Sequence, residues 1–231
     1  LLGMCLASST SAQPDDALRI TRITPAGSNV PETREIVVEF DRPVVPLGRM
    51  DREAAEIPIA ISPDTACRWR WLDTSTLACR LGDGDALQLA TRYSIVVSPG
   101  LAALDGATLA AEVRHEFDTE RPRIAYAWFA TWQGPGSPVV RAVFNQPVTA
   151  PSVRDHLYFL QPSTATRTAG TIEPDPEDSA QPVETPAGDA RRVWLVSPET
   201  PLPQGSRARV DVEPGLASSE GTLPGDEARA V

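Results

Sequence analysis

The sequence predicts an all-β chain made of two tandem β-sandwiches, the second lacking part of its last strand. Three observations predict it. Apolar residues alternate with polar ones in short β-branched runs such as Glu35–Phe40 (EIVVEF) and Tyr93–Val97 (YSIVV), which is the period of a half-buried strand. Turn pairs at Asp83-Gly84, Asp105-Gly106 and Pro135-Gly136 punctuate these runs at sandwich spacing. And one pattern is written twice. IVVEFDRPVV (36–45) returns as VRAVFNQPVT (140–149), and TRYSIVVSPGLAALDGATL (91–109) returns as SRARVDVEPGLASSEGTL (206–223).

The chain opens with LLGMCLASSTSAQ. Leu1–Ala7 is apolar, and Thr10 and Ala12 are small residues at the −3 and −1 positions of a cut before Gln13, so residues 1–12 read as the remnant of a secretory signal. Lipidation at Cys5 is the lesser alternative, because the bulky Met4 precedes it. This run is too short to span a bilayer and no later run approaches that length, so no membrane span is expected.

The first sandwich is expected over 18–121 and the second over 122–231, joined by the short connector Glu120-Arg121-Pro122-Arg123, which Pro122 stiffens. Helix is minor: 48–56 and 152–158 each have room for a turn or two. The first pair of repeats is offset by 104 residues (140 against 36) and the second by 115 (206 against 91), so the second copy carries an insertion. It lies at 173–189, EPDPEDSAQPVETPAGD, with six acids, no base and four prolines, and is expected to be a flexible acidic loop. The first copy closes with Val113–Thr119 (VRHEFDT). The matching Phe of the second falls near Val231, so the expectation is a piece of a longer polypeptide whose last strand is incomplete.

Two cysteines, Cys67 and Cys79, bracket CRWRWLDTSTLAC. Folded as a hairpin with Leu72-Asp73-Thr74 at its tip, the stretch sets Cys67 opposite Cys79. Cys67, Trp69, Trp71, Leu77, Cys79 and Leu81 then share one face, and Arg68, Arg70, Ala78 and Arg80 the other. Opposed cysteines in a ladder are within disulfide reach, so a structural disulfide is predicted, with free buried thiols as the alternative. A metal site needs four ligands, and the only other candidates, His115 and His156, fall in different halves. A redox pair needs C-x-x-C, which is absent. Nucleic-acid binding needs arginines and tryptophans on one face, and a net charge of −10 also argues against it.

Nothing else announces chemistry. His115 reads as an outward strand residue before a general base, and His156 as a cap or loop residue before a pH-sensitive contact. Asp83-Gly84-Asp85 reads as a hairpin turn before a calcium site. Trp128, Phe129 and Trp132 in YAWFATW read as core and domain-junction packing, with an aromatic ligand patch as the alternative. No nucleophile elbow, phosphate loop or H-E-x-x-H occurs. The chain is therefore read as not an enzyme, with no catalytic residue, cofactor or metal.

PAGSNVP (25–31), VEFDRPV, YSIVV and the closing FDT resemble bacterial immunoglobulin-like modules. CRWRWLDTSTLAC, ATRYSIVVSPGLAALDG, FDTERP and VFNQPV, in that order, resemble the N-terminal part of large bacterial α2-macroglobulin-like proteins. The resemblance implies a periplasmic or otherwise exported broad-range protease trap, whose partners are downstream domains of the same polypeptide and, through the full-length protein, target proteases. Many members of that family carry a C-x-E-Q thioester, which is absent here: Cys67 is followed by Arg-Trp-Arg and Cys79 by Arg-Leu-Gly. No trapping residue carries over, and the chain is expected to be scaffold. An envelope adhesion or binding module, or an accessory module of a secreted enzyme, are the competing classes.

Overall fold

The computed structural model describes residues 17–48 and 57–231, so the signal-like start, Cys5 and all but the first residue of the helical option at 48–56 lie outside the described residues. Short alternating runs become strands throughout: β1 Ile20–Thr24, β2 Gly27–Val30, β3 Glu35–Phe40, β4 Ile59–Ser62, β5 Cys67–Trp71, β6 Thr76–Leu81, β7 Arg92–Val97 and β8 Val113–Thr119 in the first copy. The second copy supplies β9 Ile124–Gly134, β10 Ser137–Thr149, β11 Leu157–Gln161, β12 Thr166–Pro174, β13 Ala190–Pro198, β14 Arg209–Val212 and β15 Arg229–Ala230. The one helix among the described residues, α1 Ala150–His156, begins at the Thr149 N-cap, whose hydroxyl accepts from the Ser152 amide. The chain is all-β, as its period-two patterning predicts.

Strand order makes the duplication concrete. The first copy forms the sheets β1-β3-β6-β5 and β2-β8-β7-β4, the A-B-E-D and A′-G-F-C arrangement of an immunoglobulin-like sandwich. The second copy repeats the first of these orders as β9-β10-β13-β12 and part of the other as β15-β14-β11. The two parts run together as one seven-stranded sheet because the nine-residue β12 is long enough to pair β11 with its first half and β13 with its second. Register repeats as well. Ile23 opposes Val38 and Thr24 opposes Val37, and 104 residues on, Ala127 opposes Ala142 and Trp128 opposes Arg141. The register shift between Ile20 and Arg22 recurs between Ile124 and Tyr126.

The repeated Phe-polar-x-Pro-Val phrase now has a physical meaning. Asp41, just after Phe40, accepts the Arg19 amide on Oδ1 at 3.0 Å and returns its own amide to the Arg19 carbonyl at 3.0 Å. Asn145, just after Phe144, does the same to Arg123 at 2.8 and 3.1 Å. The residue after Phe is thus a clamp that sets where the first strand of each copy starts. Asn145 also donates from Nδ2 to the Arg121 carbonyl at 2.9 Å, and the buried Gln146 donates to the Glu120 carbonyl at 2.9 Å. The connector is therefore gripped on both sides of Pro122, an asset that the stiffness of proline alone does not supply.

By compactness the chain falls into two units. One comprises the described residues up to Pro25 with Arg34–Asp85 and Ser94–His115; the other comprises Ala26–Thr33, Ala86–Tyr93 and Glu116–Val231. The first has Ile36, Val38, Phe40, Leu77 and Cys79 at its centre, with the Phe40 and Trp71 rings 5.8 Å apart. The second centres on Ile124, Ala142, Phe144, Leu157, Phe159, Trp194 and Val196. The indole N–H of buried Trp194 is satisfied by the Val148 carbonyl at 3.0 Å, so this large side chain costs no lost hydrogen bond.

Candidate functional site

Cys67 and Cys79 form a disulfide, with Cα atoms 5.5 Å apart. The predicted inward face holds, with Trp69, Trp71, Leu77, Cys79 and Leu81 buried; on the other face Arg68, Arg70 and Arg80 are exposed but Ala78 is buried. The register does not. Trp69, not Cys67, lies opposite Cys79, and Cys67 lies opposite Leu81. A slip of two keeps every side chain on its face, so alternation alone cannot tell the two registers apart. The tip decides. Asp73 Oδ1 accepts the Ser75 amide at 2.7 Å and Oδ2 accepts from the Thr76 hydroxyl at 2.9 Å, so the turn closes with Trp71 opposite Leu77. The Ser75 amide bond holds the Asp73 carboxyl below its ordinary range.

Each histidine bonds to a backbone carbonyl of its own. His115 Nε2 is 2.7 Å from the Pro25 carbonyl, and His156 Nδ1 is 2.8 Å from the Ser152 carbonyl at the end of α1. Behind His156, Gly215 has φ +118°, and a Cβ there would run into the imidazole ring, so both the backbone and the ring require glycine. Gly82–Asp85 is a turn closed by the Asp85 amide on the Gly82 carbonyl at 3.1 Å. Among the described residues, no three His, Cys, Asp or Glu side chains gather into a cluster fit to hold a metal ion.

An ion-pair cluster sits where β7 meets β8. Arg92 grips Asp118 with Nε and Nη2 at 2.7 and 2.9 Å, and Arg121 adds a third contact at 3.2 Å. The Arg92 bond, helped by both guanidinium charges, outweighs burial and holds the Asp118 carboxyl below its usual range. In the second copy, Arg141 plays a comparable part. It pairs with the buried Asp175 and with Glu177, so the start of the acidic 173–189 segment is tethered to β10.

The aromatic residues overturn the expectation of burial. Tyr126, Trp128, Phe129 and Trp132 are 55, 42, 51 and 62% exposed. They stand on β9, the terminal strand of the seven-stranded sheet, an eleven-residue edge with no charged residue and no proline. Tyr126 and Trp128 stack at 5.5 Å, with the Arg141 guanidinium over the Trp128 ring at 5.5 Å. Phe129 and Trp132, with ring centroids 5.3 Å apart, wall a cleft of about 750 Å³. Phe159, Leu202, Val210 and Val231 also line it, and Arg207 and Arg209 stand in its lining. Its outer wall is fixed by the Leu202 amide on the Gly136 carbonyl at 2.7 Å; Gly136 has φ +76°, and a Cβ there would strike the Leu202 backbone. This size and lining suit a bound ligand or segment. The clue in the sequence was parity: Tyr126, Trp128 and Trp132 occupy even positions and Phe129 an odd one, so no single strand face buries all four.

No family model matches the chain, and no curated protein matches it. Several solved structures do. An α2-macroglobulin fragment from Escherichia coli spanning domains MG0-NIE-MG1 aligns over 94% of this chain and 71% of its own, at 14% identity and a TM-score of 0.34. An L,D-transpeptidase from Mycobacterium smegmatis aligns over 87% and 76%, at 14% identity and 0.30. The N-terminal part of the bacterial S-layer protein SbsC aligns over 93% and 43%, at 13% identity and 0.29. Superpositions this loose assign no function. Among the described residues no helix is long and apolar enough to cross a membrane.

Proposed function

We propose that the chain is a pair of structural β-sandwich modules of an exported protein, of the kind the α2-macroglobulin-like resemblance implies, and that it positions neighbouring domains without performing chemistry. The observation that carries this reading is where its reactive groups are spent. Cys67 and Cys79 are joined to each other, and both imidazoles bond to backbone carbonyls. Asp41, Asn145 and Gln146 hold the starts of strands and the connector. The disulfide supports an oxidising compartment, periplasmic or extracellular. The test is to incubate the purified chain with serine, cysteine and metalloproteases at equimolar ratio. The expected outcome is full residual protease activity and no hydrolysis of peptide, ester or glycoside substrates by the chain itself. Near-stoichiometric inhibition, or hydrolysis abolished by His115→Ala or His156→Ala, contradicts the scaffold assignment. A second reading, a binding module of the cell envelope, is favoured by the open aromatic cleft on β9.

A further inference from the structure

The first copy serves as a control for the second, because their registers match residue for residue. On the outward face of β1-β3-β6, Arg22, Glu39 and Thr76 stand in one cross-strand row and Thr24, Val37 and Ala78 in the next. The same two rows on β9-β10-β13 hold Tyr126, Val143 and Val193, then Trp128, Arg141 and Leu195. An Arg-Glu-Thr row suited to water is thus rewritten as Tyr-Val-Val, and Thr-Val-Ala as Trp-Arg-Leu. The rewritten face is open: Tyr126 and Trp128 are exposed, and Val143, Val193 and Leu195 are half-buried. Apolar side chains gathered on an outward face mark a contact surface. Its side chains are already held in place. Tyr126 stacks on Trp128, and Arg141, with its guanidinium over the Trp128 ring, is fixed by Asp175 and Glu177. Beyond Leu195 the second row ends on Glu173, where the first copy has Arg70. The apolar rows are therefore bordered by acid along β12 and the segment that follows it.

We propose that this outward face of β9-β10-β13 is a docking surface, and that its occupant is an amphipathic helix of a partner polypeptide with lysines or arginines flanking its apolar stripe. A sheet face, unlike an edge, offers no backbone hydrogen bonds, so the occupant must satisfy its own, as a helix does. Three strands at a spacing of about 4.8 Å give a width of about 10 Å, the diameter of one helix. The acidic border sets the sign of the flank: cations on the helix meet the exposed Glu173 and Glu177. A second copy of this chain does not fit, because a two-fold contact would press acid against acid on molecules of net charge −10. The docking face does not depend on the scaffold reading, since its test reads binding and not protease inhibition or hydrolysis.

The probe is a dye-labelled, helix-forming peptide of leucine and lysine, about four turns long with its leucines on one face, titrated into the full chain while its anisotropy is followed. Saturable binding is expected, weakening as salt is raised. Tyr126→Arg with Trp128→Thr, which writes the first copy's residues into the second, is expected to weaken binding at least tenfold and to leave the melting temperature unchanged. Val193→Thr, a milder change of the same kind, is expected to weaken it several-fold and keeps the test open should the double variant not fold. Trp132→Ser, in the neighbouring cleft, is expected to bind as the native chain does. A peptide with glutamate in place of lysine is expected to bind at least tenfold more weakly. The proposal is overturned if the native chain does not bind the lysine peptide, or binds both peptides equally. It is also overturned if Trp132→Ser abolishes binding while Tyr126→Arg/Trp128→Thr does not, which places the peptide in the cleft. Self-association of the chain that is lost in Tyr126→Arg/Trp128→Thr makes a second copy the occupant and overturns it as well.

Discussion

Reducing the Cys67–Cys79 bond isolates what that link contributes. The two residues are 12 apart in sequence, and closing a loop of this length removes chain entropy worth about 3 kcal/mol from the unfolded state. The link leaves the faces of the hairpin unchanged, because Trp69, Trp71 and Leu77 stay buried by their own packing. Reduction of the folded protein is therefore expected to lower stability by about that amount and to retain the strands. For a chain of this size the shift is roughly 6–12 °C in the melting temperature. The Cys67→Ala/Cys79→Ala pair adds the loss of the Cys79 sulfur from a fully buried position, about 1 kcal/mol more. The assay is thermal unfolding followed by near-ultraviolet circular dichroism, where Trp69 and Trp71, on the same strand as Cys67, report directly, with and without reductant. Thiol titration runs alongside. If the untreated protein presents two reactive thiols, or if reduction leaves the melting temperature unmoved, the reasoning fails at its first step.

Three further outcomes follow from the contacts. Asn145→Ala removes the acceptor for the Arg123 amide and the donor to the Arg121 carbonyl and is expected to cost about 2 kcal/mol in urea unfolding; Asn145→Asp, which keeps the acceptor as Asp41 does, costs about half that. Asp118 has a depressed folded-state pKa, so its ion pair stabilises above about pH 4 and that contribution is lost as pH falls through the folded value. The urea midpoint of the native chain should drop between pH 5 and 2.5, and that of Asp118→Asn should drop less; equal slopes for the two count against the Arg92 contact. Gly215→Ala meets both a left-handed backbone and the His156 ring, so it is expected to destabilise by about 2 kcal/mol. Pairing it with His156→Ala is expected to recover only the steric part, which a double-mutant cycle reads as coupling.

Much of this architecture was legible in the residues. Alternation in EIVVEF and YSIVV fixes which side chains point inward, and the structure buries Ile36, Val38 and Phe40 accordingly. The doubled FDRPVV and FNQPVT phrases marked the repeat, although their clamp on Arg19 and Arg123 emerges only when the strands are paired. The disulfide was legible because two cysteines on one hairpin face have few alternatives. Its register was not, because the side-chain period cannot see a slip of two; the Asp73 turn at the tip held that information. The tie between Arg141 and Asp175 spans 34 residues and has no local signal, so the acidic stretch reads as free although its first residues are held. The cleft was hidden for the same reason. YAWFATW looks like core until β9 proves to be an edge strand, and what lies beyond an edge depends on pairing between distant segments.

The central claim is that one strand arrangement is built twice along this chain, and cross-strand proton contacts in solution test it most directly. Nuclear Overhauser contacts between facing residues are expected for Ile23 with Val38 and, 104 positions on, for Ala127 with Ala142, with the ladder interrupted at Thr21 and again at Ala125. Finding both sets at the same register supports the duplicated module. Contacts in one half with a different partner strand in the other, or helical sequential contacts across Ile124–Gly134, contradict it.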